Sequence, residues 1–172
     1  TINNLVLLPS SYDINISKNS NGKFDPPISK DKISVDRENP FTLDIVPDLG
    51  YFVDSVYIDN IHNEAAVANK KIEIYSVLKS YDIRVVFSPI QYLLTVKSND
   101  ASLGIVTKDP ELGTTFVYGT KVKVMATRLG QNNFDGWTGY GNSENDTIEV
   151  TMTKNYDITG NFSEPFKYTL QL

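Results

Sequence analysis

Along this chain apolar residues return at every second position in short runs, and polar, Gly- or Pro-bearing breaks separate the runs. Tyr12, Ile14 and Ile16 alternate with Asp13 and Asn15; Phe41, Leu43 and Ile45 alternate with Thr42 and Asp44; Val122, Val124 and Ala126 share one face of Lys121 to Thr127. A period of two belongs to strands with one buried face. The same reading predicts short strands at Lys23 to Pro27, Ile33 to Val35, Tyr51 to Asp59, Tyr92 to Lys97, Gly104 to Thr107 and Phe134 to Thr138. Two hairpins are expected: Lys71–Val77 with Tyr81–Phe87 through Leu78-Lys79-Ser80, and Thr147–Met152 with Tyr156–Phe162 across Lys154-Asn155. A helix is plausible only within 60–71, around Glu64-Ala65-Ala66-Val67-Ala68, and for one or two turns at most. The pattern is that of an all-β chain with at most one short helix.

The most informative stretch is Tyr118 to Gly141, which holds the single tryptophan, Trp137, and the glycines Gly119, Gly130, Gly136, Gly139 and Gly141. A looser copy lies eighty positions earlier: Glu38 to Gly50 falls over Tyr118 to Gly130, with Gly50 on Gly130 and Tyr12 on Tyr92. Tyr81-Asp82-Ile83 and Phe87-Ser88 return as Tyr156-Asp157-Ile158 and Phe162-Ser163 at an offset of seventy-five, so five residues are missing from the second copy before its last strand. The expected organisation is a leading linker or strand (1–11), a first module (12–89), a second module (90–163), and the start of a third repeat at 164–172, opening on Tyr168. Modules this small bury only about 60–65% of their unfolded surface and are marginal alone, so a neighbour's support is useful.

Composition narrows the function more by exclusion than by indication. The net charge is −5 and the Lys and Arg residues are interleaved with acids, which argues against nucleic acid as a partner. With no cysteine, disulfides, thiolate metal sites and thiol catalysis are excluded. No apolar run approaches the ~20 residues of a membrane span. The chain starts at Thr1 without an initiator Met or signal peptide, so a mature or excised segment is expected. His62 is the only histidine and no nucleophile elbow surrounds the nearby serines, so it reads as a loop residue. Asn142 to Asp146 is rich in oxygen ligands but lacks the spaced acids and closing Glu of an EF-hand, and reads as an exposed turn. Gly136 to Gly141 has no following Lys-Ser/Thr and is no phosphate cradle. Tyr118, Phe134, Trp137 and Tyr140 could form a sugar-stacking platform, with Tyr140 and Tyr118 the candidate ligand-binding rings.

The second module resembles the divergent form of the internalin B repeat. The residues that carry the resemblance are Tyr92 to Val96, Gly104-Ile105-Val106, Tyr118-Gly119 leading into Val122 to Ala126, Phe134-Asp135-Gly136-Trp137-Thr138-Gly139, and Gly160-Asn161-Phe162. The first module resembles a relative without the tryptophan, with Pro47 to Val56 standing where the Gly-Trp element would be. The resemblance implies β-rich modules, ubiquitin-like (β-grasp-like) or small sandwiches, strung in extracellular arrays, with no catalytic residue and no cofactor. It gives Trp137, Phe134, Phe162 and Phe87 a structural role in the core, supported by Gly136, Gly139, Gly119, Gly130 and Gly50. At about 25 cal/mol per Å2, a buried indole alone can decide whether so small a sheet folds.

These readings converge on a non-catalytic extracellular segment of a bacterial surface or secreted protein, serving as spacer, stalk or adhesion module. Its partners would be neighbouring repeats or domains of a larger chain, with a host protein or glycan as candidate ligand. A glycan- or protein-binding module using the tips near Tyr140 or residues 60–70 is the alternative. A virion surface or fibre protein is a third reading.

Overall fold

The computed structural model describes residues 8–141 and 143–166; the expected third opening at Tyr168 lies outside them. The chain divides into two compact units, Thr1–Pro89 and Ile90–Leu172. In the first, the strands are β1 (Ser11–Lys18), β2 (Gly22–Asp25), β3 (Lys32–Asp36), β4 (Phe41–Pro47), β5 (Tyr51–Ile58), β6 (Ile61–His62), β7 (Lys71–Ile74) and β8 (Tyr81–Pro89), with one helix, α1 (Glu64–Asn69), between β6 and β7. In the second they are β9 (Gln91–Ser98), β10 (Gly104–Asp109), β11 (Thr115–Val117), β12 (Lys121–Arg128), β13 (Asn133–Thr138), β14 (Thr147–Thr151) and β15 (Tyr156–Ser163).

Both units are sandwiches of two small sheets with one topology. The first has a mixed sheet ordered β3-β1-β8-β5-β6 and an antiparallel sheet ordered β2-β4-β7; the second has β11-β9-β15-β13 and β10-β12-β14. In each mixed sheet the first and last strands of the unit run parallel, side by side, at the centre. This is the sheet of a β-grasp, but a second sheet covers it where a β-grasp has its helix. Alternation decides which residues lie between the sheets. Phe41, Leu43 and Ile45 from β4 meet Ile14, Ile16, Val85 and Phe87 from the facing layer, and Val122 and Val124 meet Leu94, Ile158 and Phe162.

The expected hairpins do not form. β7 pairs with β4 and β14 with β12, whereas β8 and β15 belong to the opposite sheets. A hairpin turns the chain back within one sheet; here the connection crosses the sandwich, anchored by a fully buried apolar residue, Val77 or Met152. The amide of Val77 donates to the Asn39 carbonyl and that of Met152 to the Thr120 carbonyl, so the crossover is the same in both units.

Register also corrects the uniform eighty-residue offset. Phe24 faces Ile45 in one unit and Val106 faces Ala126 in the other, so Ile45 answers to Ala126, eighty-one positions on. An eighty-residue superposition would lay the buried Leu43 on the exposed Lys123, because one step along a strand turns every side chain to the other face. Gly50 and Gly130 are therefore not equivalent. Gly50 follows Leu49 as the third residue of its turn, whereas Gly130 is the second residue of the corresponding turn, at φ 61°. The equivalent of Gly119 (φ 80°) is Glu38, at φ 70°: Glu38 donates its amide to Val77, and Gly119 to Met152.

Counted from the corrected offset the difference before the last strand is six residues, five between β5 and β7 and one between β7 and β8. The first unit spends the five on β6 and α1, capped at its start by the Asn63 side chain, which accepts from the Ala66 amide, with Ala66 buried beneath. His62 sits in the two-residue strand β6 beside Tyr57, its ring 5.5 Å from that of Tyr57, and not in a loop.

One side-chain device recurs intact. Asn19 clamps the backbone of Phe87: its Nδ2 donates to the Phe87 carbonyl and its Oδ1 accepts the Phe87 amide, both at 2.9 Å. Asn99 does the same to Phe162, at 2.9 and 2.8 Å. Beside each clamp a glycine admits the phenylalanine ring, since a Cβ on Gly22 or Gly104 would fall 2.2 Å from Phe87 or Phe162. Asn99→Ala leaves both Phe162 backbone groups without their partner and is expected to cost about 1–3 kcal/mol. Trp137 fluorescence in a urea titration reports the second unit, so this variant should lower that midpoint while Asn19→Ala leaves it in place.

Candidate functional site

The four aromatics proposed as a platform do not assemble. Trp137 is buried at 4% exposure, and its indole Nε1 donates to the Asn145 carbonyl at 2.8 Å. Phe134 meets its edge at 5.2 Å between centroids and touches Phe162 at 5.4 Å, so these rings belong to one core cluster. Tyr140 is 37% exposed and stands against Tyr156; its hydroxyl donates to the Glu149 carbonyl at 2.7 Å. Tyr118 pairs with Tyr92 instead. The polar tip of Tyr140 is thus committed to the backbone, and its ring to a tilted contact with Tyr156.

The glycines divide by what they do. Gly136 and Gly50 are buried, whereas Gly119, Gly130 and Gly139 lie at the surface and correct the expectation that all five support the core from within. Gly139 is the most constrained: φ is 86°, and a Cβ there would fall 1.9 Å from the Asp157 carbonyl oxygen.

Superposing the registers shows how the tryptophan is accommodated. The mixed sheet of each unit carries a bulge at the same place, between Val53 and Ser55 and between Phe134 and Gly136, with Asp54 or Asp135 as the extra residue. Just beyond it Trp137 faces Gly160, whereas Val56 faces Val85. A Cβ on Gly160 would lie 2.7 Å from Val106 Cγ2 and 3.3 Å from the indole. The indole takes the room that the cross-strand glycine leaves. Sequence reading missed this pairing and the Asn19 and Asn99 clamps, although the asparagines do recur at the offset of eighty.

Charged groups at the surface serve local structure. Among the described residues no group of three or more His, Cys, Asp or Glu could hold a metal ion. Asp59, between β5 and β6, is held below the ordinary aspartate value of 3.8, first by the Lys79 ammonium hydrogen-bonded to it and then by the Asp82 amide. A folded-state value below the unfolded one stabilises the fold above about pH 4 and loses that contribution as pH falls through the folded value. The first unit should therefore lose stability on acidification, and Asp59→Asn should flatten that loss in urea titrations between pH 5 and 2, about one unit either side of the aspartate range.

Residues 94–165, within the second unit, match the family model of the divergent InlB B-repeat domain. No curated protein matches the chain. Among the described residues no helix is long and apolar enough to cross a membrane.

Proposed function

We propose that the chain is a non-catalytic extracellular segment of a larger bacterial surface or secreted protein, built as a spacer from two tandem repeats, and that residues 12–89 are a divergent copy of the unit the family model matches. The observation that carries this reading is the shared topology of the two units: the bulge, the asparagine clamp and the crossover recur, and what recurs is framework. A segment that keeps its skeleton while its surface varies is suited to setting distance. Only Ile90 separates β8 from β9, so one repeat hands the chain directly to the next.

Pulling the chain between handles should give two unfolding events, each releasing about 25 nm of contour for a module of this size. In the parent protein, exchanging 12–163 for unrelated β-modules of equal contour length should leave surface activity unchanged. Loss of activity on that exchange would overturn the spacer reading.

A further inference from the structure

The two units form an internal comparison, and their outward faces differ in chemistry at one place. On the mixed sheet of the first unit, Asn15, Tyr57, Asp82 and Arg84 stand together. Strand register assigns Thr95, Thr138, Asp157 and Thr159 to the same positions in the second. There Lys97 Nζ pairs with Asp157 at 3.1 Å. In the first unit Asp82 is free of that neutralisation and instead accepts from Asn15 Nδ2 at 2.7 Å. Arg84 lays its guanidinium over the Tyr57 ring, 4.1 Å from the centroid, and among the described residues it has no carboxylate partner. At that distance the negative face of the ring attracts the cation and limits where it can go.

These groups line a concavity of about 570 Å3 completed by Asn60 and Asp31. A second, of about 440 Å3, adjoins it and shares Ile16, Ser17 and Asp31. The larger is an open trough across β1 of the first unit; the smaller adds Lys18 and Lys23 and with them an excess of positive charge. The formal charges of this trough balance, Asp31 and Asp82 against Lys32 and Arg84. Donors and acceptors alternate within reach of one another, with an aromatic wall behind. That arrangement suits a ligand whose every hydroxyl both donates and accepts. A strongly charged ligand would meet a repelling like charge whichever sign it carried.

We propose that this trough is a binding site for a neutral oligosaccharide, with Arg84, Asp82 and Asn15 supplying the directional hydrogen bonds and Tyr57 holding Arg84 in place. The inference is independent of the spacer reading, which concerns what the tandem array does as a whole.

The test is an NMR titration of the isotope-labelled 172-residue chain with neutral hexasaccharides (β-1,4-glucose, α-1,4-glucose, α-mannose and β-1,4-N-acetylglucosamine), with a hexamer of galacturonate as the acidic control. The expected result is that at least one neutral sugar moves the amide signals of Asn15, Tyr57, Asp82 and Arg84 with a Kd near ~1 mM, and that Arg84→Gln and Asp82→Asn each weaken it about tenfold. Both side chains are exposed, and unchanged spectra elsewhere establish that the variants fold. The proposal is overturned if no neutral sugar shifts these signals at ~10 mM, a concentration that would occupy most of a millimolar site. It is equally overturned if the shifts fall outside the trough, if the variants bind like the parent, or if galacturonate binds more tightly than every neutral sugar.

Discussion

Trp137→Ala should unfold the second unit and leave the first standing. Replacing a buried Trp or Phe by Ala costs about 3–5 kcal/mol, and a sheet pair of this size has little more than that to lose. Trp137 is buried against Phe134, lies over Gly160 and ties the loop before β14 through Asn145. Its removal therefore opens a cavity and frees a loop at once. The two cores share no residue. In a two-dimensional NMR spectrum the signals of residues 11–89 should persist while those of 91–163 collapse to unfolded positions. Retention of both sets would mean that Phe134 and Phe162 suffice to hold the core.

The second large effect is a coupling. Gly160→Val places side-chain atoms where Val106 and the indole already are, and overpacking of this kind costs about 1–3 kcal/mol or more. Trp137→Val alone should be costly for the opposite reason. Combined, the two substitutions install the Val–Val pair that the first unit uses at Val56 and Val85. The double variant should be less destabilised than the sum of the singles by about 1–3 kcal/mol, read from urea midpoints followed by circular dichroism. Strict additivity would show that the indole and the glycine do not share one space.

Much of this architecture was visible in the order of residues. The buried faces of β4 and β12 follow from alternation, the short helix sits where Glu64 to Ala68 allowed one, and the all-β character holds throughout. Partnership between strands was not visible. Periodicity says which face of a strand is buried, but not which strand lies beside it. β7 and β8 therefore looked like a hairpin when each pairs elsewhere. Nor could a match of glycines fix the register: Gly50 and Gly130 superpose in sequence yet occupy different places in their turns, because conformational freedom is useful at either. The proposed platform failed for a related reason. Tyr118, Trp137 and Tyr140 are close in sequence, but Trp137 turns into the core from β13, whereas Tyr118 and Tyr140 lie in the turns after β11 and β13 and meet Tyr92 and Tyr156. The trough on the first unit left no trace because its residues come from β1, β5 and β8, and only the parallel pairing of β1 with β8 brings Asn15 beside Asp82.

That parallel pairing has a kinetic corollary. The opening strand of each unit obtains its central neighbour only from the closing strand, some sixty-seven or sixty-two residues later. Until that last segment is available the sheet lacks its middle, and long-range pairing of this sort delays folding. A chain emerging N-terminus first, from a ribosome or through a narrow channel, would stay pliable until Tyr81 to Pro89 had appeared and then close in one step; the second repeat would wait in the same way for Tyr156 to Ser163. Each repeat thus carries its own release signal at its tail, and an array of them would lock in order as it came out.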